Sequence, residues 1–230
     1  MFRGFASAAE AFYWLGSASR AEVIHLERPA IEDAPGGEPF YLVYDTETSG
    51  GSGALNMVIE LGFIVFTRDH RRIYEFEQLY TLPEGHAINK YAQQAHGITL
   101  ERLASEGVHP LEEKRGIYCF FEWVDRIHGN GGKVVAHNTP SDAKAMTNTA
   151  RYHGMDREIT AEECFCTMRN STVRGGLKNV RGSAKPPKNE ELYECLFGAR
   201  PLWAGLHGAL DDAYVTALSL REGERAGWWW

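Results

Sequence analysis

The chain has 230 residues, 43% hydrophobic and 24% charged, a balance that suits a folded domain burying a core without disulfides or structural metals. A formal charge of −7 excludes a protein that grips nucleic acid through a broad basic surface, and no run approaches the ~18 apolar residues needed to cross a bilayer. Four cysteines, Cys119, Cys164, Cys166 and Cys195, lack the spacing of a secreted disulfide framework. They are expected as thiols in a soluble, intracellular protein of the cytoplasm, nucleus or nucleoid.

In chain order, Phe2, Phe5, Ala9 and Phe12 share one side of an amphipathic helix over residues 2–15, where Arg3 and Glu10 interrupt any signal-peptide core. Glu10 and Glu22 also count against organelle targeting. Pro29 to Pro39, rich in Pro, Gly and acids, has linker composition, so residues 1–39 form an extension and linker. The main domain spans 40–222, and 223–230, ending in Trp228 to Trp230, is a tail. Phe40 to Tyr44, Val58 to Thr67 and Ile73 to Leu82 are β-favouring runs joined by turns, an antiparallel meander. Helices are expected over 88–95 and 117–127, a buried strand over Lys133 to Ala136, and a helix over 141–152. A strand near Cys164 to Thr167 and helices over 189–197 and 209–221 complete an α/β fold: a mixed sheet of about five strands flanked by helices.

Three segments carry chemistry. In Asp45-Thr46-Glu47-Thr48-Ser49-Gly50, following an apolar strand, the period of two places Asp45 and Glu47 on one face, a pairing suited to a hard cation. The second, Val134-Val135-Ala136-His137-Asn138-Thr139-Pro140-Ser141-Asp142, is a buried strand entering a helix whose first turn holds Asp142. The third, His207-Gly208-Ala209-Leu210-Asp211-Asp212, opens the last helix with a histidine and two aspartates. Singly, each acid reads as well as a helix-start or solvated residue; the order of all three is what distinguishes the chain.

That order resembles the DEDDh exonucleases of the DnaQ-like superfamily over residues 40–222. Ile59-Glu60-Leu61-Gly62, His96-Gly97-Ile98-Thr99, Cys166-Thr167-Met168 and Lys185-Pro186-Pro187-Lys188 with Glu191-Leu192-Tyr193 add to the resemblance. It implies a ribonuclease H-like fold and a 3′-to-5′ exonuclease releasing nucleoside 5′-monophosphates, with DNA favoured over RNA. RNA trimming, or a non-catalytic nucleic-acid-binding scaffold, is the alternative. It further implies that Asp45, Glu47, Asp142 and Asp212 hold two divalent cations, Mg²⁺ or Mn²⁺, and that His207 is the general base. Helical spacing alone puts Asp211 on the face of His207, whereas the family spacing selects Asp212; the two agree if His207 precedes the helix. Ser141 departs from the aromatic or apolar residue many relatives carry before the second-motif aspartate.

The resemblance also implies that Thr46, Thr48 and Ser49 line the terminal nucleotide, with His96 and Asn138 nearby. From Cys164 to Asn189 six basic residues occur without an acid, among them Lys178, Arg181 and Lys185, a local patch able to track phosphates. The expected partner is a nucleic acid with a single-stranded 3′ end. A polymerase assisted in trans is a candidate, and no membrane is expected.

Overall fold

The computed structural model describes residues 23–25, 28–50, 56–203 and 208–230. The amphipathic segment expected over 2–15 lies outside them. Among the described residues, seven strands are formed: β1 (Val23–His25), β2 (Tyr41–Thr48), β3 (Val58–Phe66), β4 (Arg72–Leu79), β5 (Lys133–Ala136), β6 (Cys164–Cys166) and β7 (Ala199–Pro201). The helices are α1 (Lys90–His96), α2 (Leu100–Glu106), α3 (Tyr118–Gly129), α4 (Thr139–Tyr152), α5 (Thr167–Ser171), α6 (Asn189–Phe197) and α7 (Ala209–Arg225).

The main sheet has the order β4-β3-β2-β5-β6, with β2, β3 and β4 antiparallel and β5 and β6 added parallel. Alternation along β2 explains the layers. Leu42 and Tyr44 enter a core with Phe120, Phe121 and Val124 of α3 and Ala143 and Met146 of α4. Tyr41 and Val43 enter the opposite core with Leu192 and Leu196 of α6 and Ala213, Tyr214, Ala217 and Leu220 of α7. The sheet is therefore covered on both faces, and all nine residues of β3 are buried. This is the mixed, helix-flanked α/β architecture expected from the sequence.

The strands and helices fall near their expected positions, and their ends follow local chemistry. α1 starts at Lys90 because the Asn89 side chain accepts from Tyr91 N at 2.9 Å, capping the helix. α2, a seven-residue helix capped by Thr99 Oγ1, escaped the sequence reading because it offers too little periodicity. The segment of linker composition is docked. Arg72 N donates to Glu32 O, Ala34 N donates to Arg72 O, and Arg72 Nε bonds Asp33, so residues 32–34 cover the edge of β4.

The tail folds back as well. The Trp229 indole is buried, donates to Leu220 O at 3.1 Å and lies against Gly223, where a methyl group would meet the ring at 2.0 Å. Trp230 packs on Phe165 of β6 with ring centroids 4.2 Å apart.

Gly62 sets how α7 meets the sheet. A Cβ there would lie 2.2 Å from Leu210 N and 2.4 Å from Ala209 C, both backbone atoms of the helix start. Only glycine lets the helix approach β3 this closely. Gly62→Ala is expected to lower stability by about 3 kcal/mol, the upper range for overpacking, read as a lower urea midpoint. An unchanged midpoint would show that α7 can shift without cost.

Candidate active site

The two faces of β2 separate the acidic residues. Asp45 and Glu47 share the parity of Tyr41 and Val43 and therefore face α7, whose first turn carries Asp212. Carboxylate oxygens of Asp45, Glu47 and Asp212 lie within 4.8 Å of one another. Thr46, between them, has the parity of Leu42 and Tyr44 and faces α4. Its backbone N and its Oγ1 donate to Asp142 Oδ1 at 3.2 and 2.8 Å. Asp142 thus reaches the same end of β2 from the other face, held by the residue between the two strand acids. A register shift between Glu47 and Thr48 ends the regular pairing there.

The second motif turns sharply at Asn138, which adopts a left-handed conformation with φ 69° and ψ 48° between β5 and α4. His137, one residue earlier, is buried between two partners: Thr167 Oγ1 at 2.9 Å from Nδ1 and Pro187 O at 3.0 Å from Nε2. A carbonyl only accepts, so Nε2 carries the proton and Nδ1 accepts from the threonine. Burial drops the His137 pKa to about 4, and the ring is a neutral brace.

The electrostatics are those of crowded anions. Burial, then Asp142, Asp212, Glu47 and Glu60, pushes the Asp45 carboxyl well above the usual range. Glu47 is pushed up to about 8 by burial, then by Asp212, Glu60 and Asp142. Asp142 is pushed up to about 7 by burial, against the lowering effect of the Thr46 hydrogen bonds. Convergent carboxylates of this kind suit a hard divalent cation, which prefers oxygen ligands and needs only a few from protein. The three clustered donors are all carboxylates, so the residues fit such an ion.

Glu60 has a part that its motif alone did not reveal. Opposite Glu47 across the strands and buried, it accepts from Ala209 N at 2.9 Å, so its carboxylate caps the first turn of α7. With Gly62 beneath it, this fixes where the helix begins. Asp211 and Asp212 then point to different neighbours. Asp212 joins Asp45 and Glu47, whereas the charge of Asp211 is felt by Glu60 and Glu77. The expected general base, His207, lies outside the described residues.

The other expected contacts divide. Thr48 is half-buried at the end of β2, beside the acids. Ser49 is buried, its Oγ accepting from Met57 N at 3.0 Å and its carbonyl from Asn89 N at 2.7 Å, so it secures the chain around the site. His96 is buried at the end of α1, with Nδ1 accepting from Ile98 N at 3.0 Å. The basic segment is an ordered hairpin: Lys178 bridges to Ala184, and Asn179 Oδ1 accepts from Arg181 N and Ser183 N. Lys178 and Arg181 are exposed on it. Lys185 is instead paired with both Glu191 oxygens at 2.5 and 2.7 Å, because the glutamate also takes Lys188 N at the start of α6.

The exonuclease family profile named for ribonuclease T matches residues 42–220, most of the chain and all three acidic motifs. The chain belongs to this exonuclease family. Its mixed five-stranded sheet is of the ribonuclease H-like kind.

Solved structures agree on the fold. E. coli Exonuclease I in complex with a dT13 oligonucleotide superposes with a TM-score of 0.57 at 15% identity, over 80% of this chain and 40% of that one. This chain therefore spans about two-fifths of Exonuclease I. The nuclease domain of 3′hExo, a DEDDh family member bound to rAMP, gives 0.57 at 12% identity, over 84% of this chain and 96% of that one. A full-length 3′-exonuclease gives 0.58 at 13% identity, covering 87% and 64%. Comparison with curated proteins returned no match. Among the described residues, no helix is long and apolar enough to cross a membrane.

Proposed function

We propose that this exonuclease is a DEDDh-type, metal-dependent 3′-to-5′ enzyme that removes nucleoside 5′-monophosphates from single-stranded ends, DNA in preference to RNA. The observation that carries the reading is the convergence of Asp45, Glu47 and Asp212 with Asp142 held against them by Thr46. In this reading the four carboxylates hold two divalent cations, Mg²⁺ or Mn²⁺. When bound, the ions supply Lewis-acid activation of water and charge stabilisation at the leaving 3′ oxygen.

The chain's own residues do the rest. His207, as the general base, takes the proton of the attacking water. Thr48 and Asn138 border the terminal nucleotide, while Thr46 and Ser49 shape its seat by holding Asp142 and Met57. Lys178 and Arg181, exposed on their hairpin, follow the phosphates of the incoming strand. The Lys185 ammonium braces α6 through Glu191. A polymerase served in trans is the candidate partner.

The test uses 5′-labelled single-stranded DNA and RNA with Mg²⁺, Mn²⁺ or EDTA. A ladder shortening from the 3′ end, lost in EDTA, is expected, with DNA cut faster. Asp212→Asn should remove about 10³-fold of the rate and Asp211→Asn less than about threefold, since only the former carboxylate joins the cluster. Equal losses would sink this assignment, and binding without cleavage would point to a scaffold.

A further inference from the structure

Of the three clustered acids among the described residues, Asp45 and Glu47 stand on β2 and Asp212 arrives on a helix, so the aim of its carboxylate depends on what holds that helix turn. The structure assigns this task to Asn189, the first residue of α6: a positioning residue whose amide orients Asp212. Asn189 Nδ2 donates to the Asp212 carbonyl at 2.9 Å and to its Oδ1 at 3.3 Å. The other end of the amide, Oδ1, accepts from Thr216 Oγ1 at 3.1 Å, one helical turn beyond Asp212. The amide is thereby fixed at both ends, which settles which end faces the aspartate: a hydroxyl proton on one side, acceptors on the other.

The position of Asn189 is itself over-determined. Two residues earlier, Pro187 O accepts a hydrogen bond from His137 Nε2, tying the chain to the end of β5 from which α4 carries Asp142. One residue earlier, Lys188 N is held by Glu191, which is also locked by Lys185. The Pro187 to Asn189 strap therefore joins the element that leads to Asp142 with the element that bears Asp212. Groups that orient a metal-binding carboxylate in this way commonly change ion affinity by about 10–100-fold when removed.

This inference rests on the reading of Asp212 as a cation ligand, so the test separates the two. Mn²⁺ alone is titrated into the whole 230-residue chain by calorimetry and by electron paramagnetic resonance, with thermal unfolding of each variant recorded in EDTA. Asn189→Ala is expected to weaken Mn²⁺ binding about tenfold. Thr216→Val, which leaves the amide in place but loosens it, should weaken binding in the same direction by a smaller factor. Glu194→Gln removes the ion pair with Arg200 at the far end of α6, touching neither the strap nor Asp212, and should leave Mn²⁺ affinity unchanged.

A lower unfolding temperature with unaltered Mn²⁺ affinity in Asn189→Ala and Thr216→Val, while Asp212→Asn loses binding, would reduce Asn189 to a structural contact and overturn the inference alone. If Asp212→Asn binds Mn²⁺ as tightly as the parent, the ligand reading falls and the inference with it. An equal loss of affinity in Glu194→Gln would also overturn it, by showing that any disturbance of α6 has the same effect.

Discussion

Asp45→Asn is expected to lower the nuclease rate by about 10³-fold and, in EDTA, to make the protein more stable. The two signs have one cause. Asp45 stands between Glu47 and Asp212 on one side and the charge of Asp142 on the other, and burial removes the water that would screen them. Under the proposed function that carboxylate would be a cation ligand, and its loss would remove several kcal/mol of charge stabilisation, about a factor of ten per ~1.4 kcal/mol.

Without the cation, the same carboxylate is a buried acid among acids. Replacing it with a neutral amide of similar shape relieves repulsion, a gain of about 1 kcal/mol or a rise of about 3 °C in Tm for a chain of this size. Mn²⁺ should reverse the order, stabilising the parent by mass action and the variant far less. Thermal unfolding of both proteins in EDTA and in Mn²⁺, beside a rate on labelled DNA, checks all three signs. A variant that loses activity and also stability in EDTA would show that Asp45 holds the fold together rather than straining it.

Much of this was legible in the sequence, for reasons that differ by element. β2 and its acids were readable because an apolar run followed by Asp45-Thr46-Glu47 fixes which side chains share a face once the strand exists. Asp142 was readable as a first-turn acid, but not the means by which it is held. That depends on Thr46, whose hydroxyl is aimed by the opposite parity of the same strand. Family spacing selected Asp212 over Asp211, yet the physical discriminator lies in Glu60 and Gly62, which set the start of α7 from a strand about 150 residues earlier. No local pattern encodes a contact of that range.

Asn189 and His137 escaped for the same reason. Each looks like a helix-start or turn residue until its partners, Asp212 and Pro187, are seen in space. In the sequence the segment of Lys178 and Arg181 shows only as a local basic patch, with no sign of a hairpin. Its order comes from the Asn179 side chain, which accepts from two backbone amides and replaces the strand pairing that the short segment lacks. The tail similarly read as a terminal appendage, but Gly223 opens a seat for Trp229 that only the packed helix displays.

Apparent Mn²⁺ affinity is expected to rise steeply with pH between 6 and 8, by about tenfold per pH unit for each proton displaced. The carboxyl of Glu47 is raised to about 8 and that of Asp142 to about 7, with Asp45 displaced in the same direction. In the unfolded chain these groups titrate near their ordinary values of about 4. Between about pH 4 and pH 8 the metal-free native state therefore binds more protons than the unfolded state, and its stability falls as pH rises through that window.

Cation binding requires the ionised carboxylates, so it expels the retained protons and is favoured by the same rise in pH. Stability without the ion and affinity for it should consequently move in opposite directions. Calorimetric titration of Mn²⁺ at pH 6, 7 and 8, in buffers of different ionisation heat, counts the protons released, while unfolding in EDTA follows the apo stability. Proton release near pH 7 together with apo stability that declines toward pH 8 is the expected pair. A flat affinity without proton release would mean that the acids are already ionised in the empty site, and that the repulsion invoked for Asp45 is relieved by something other than a proton.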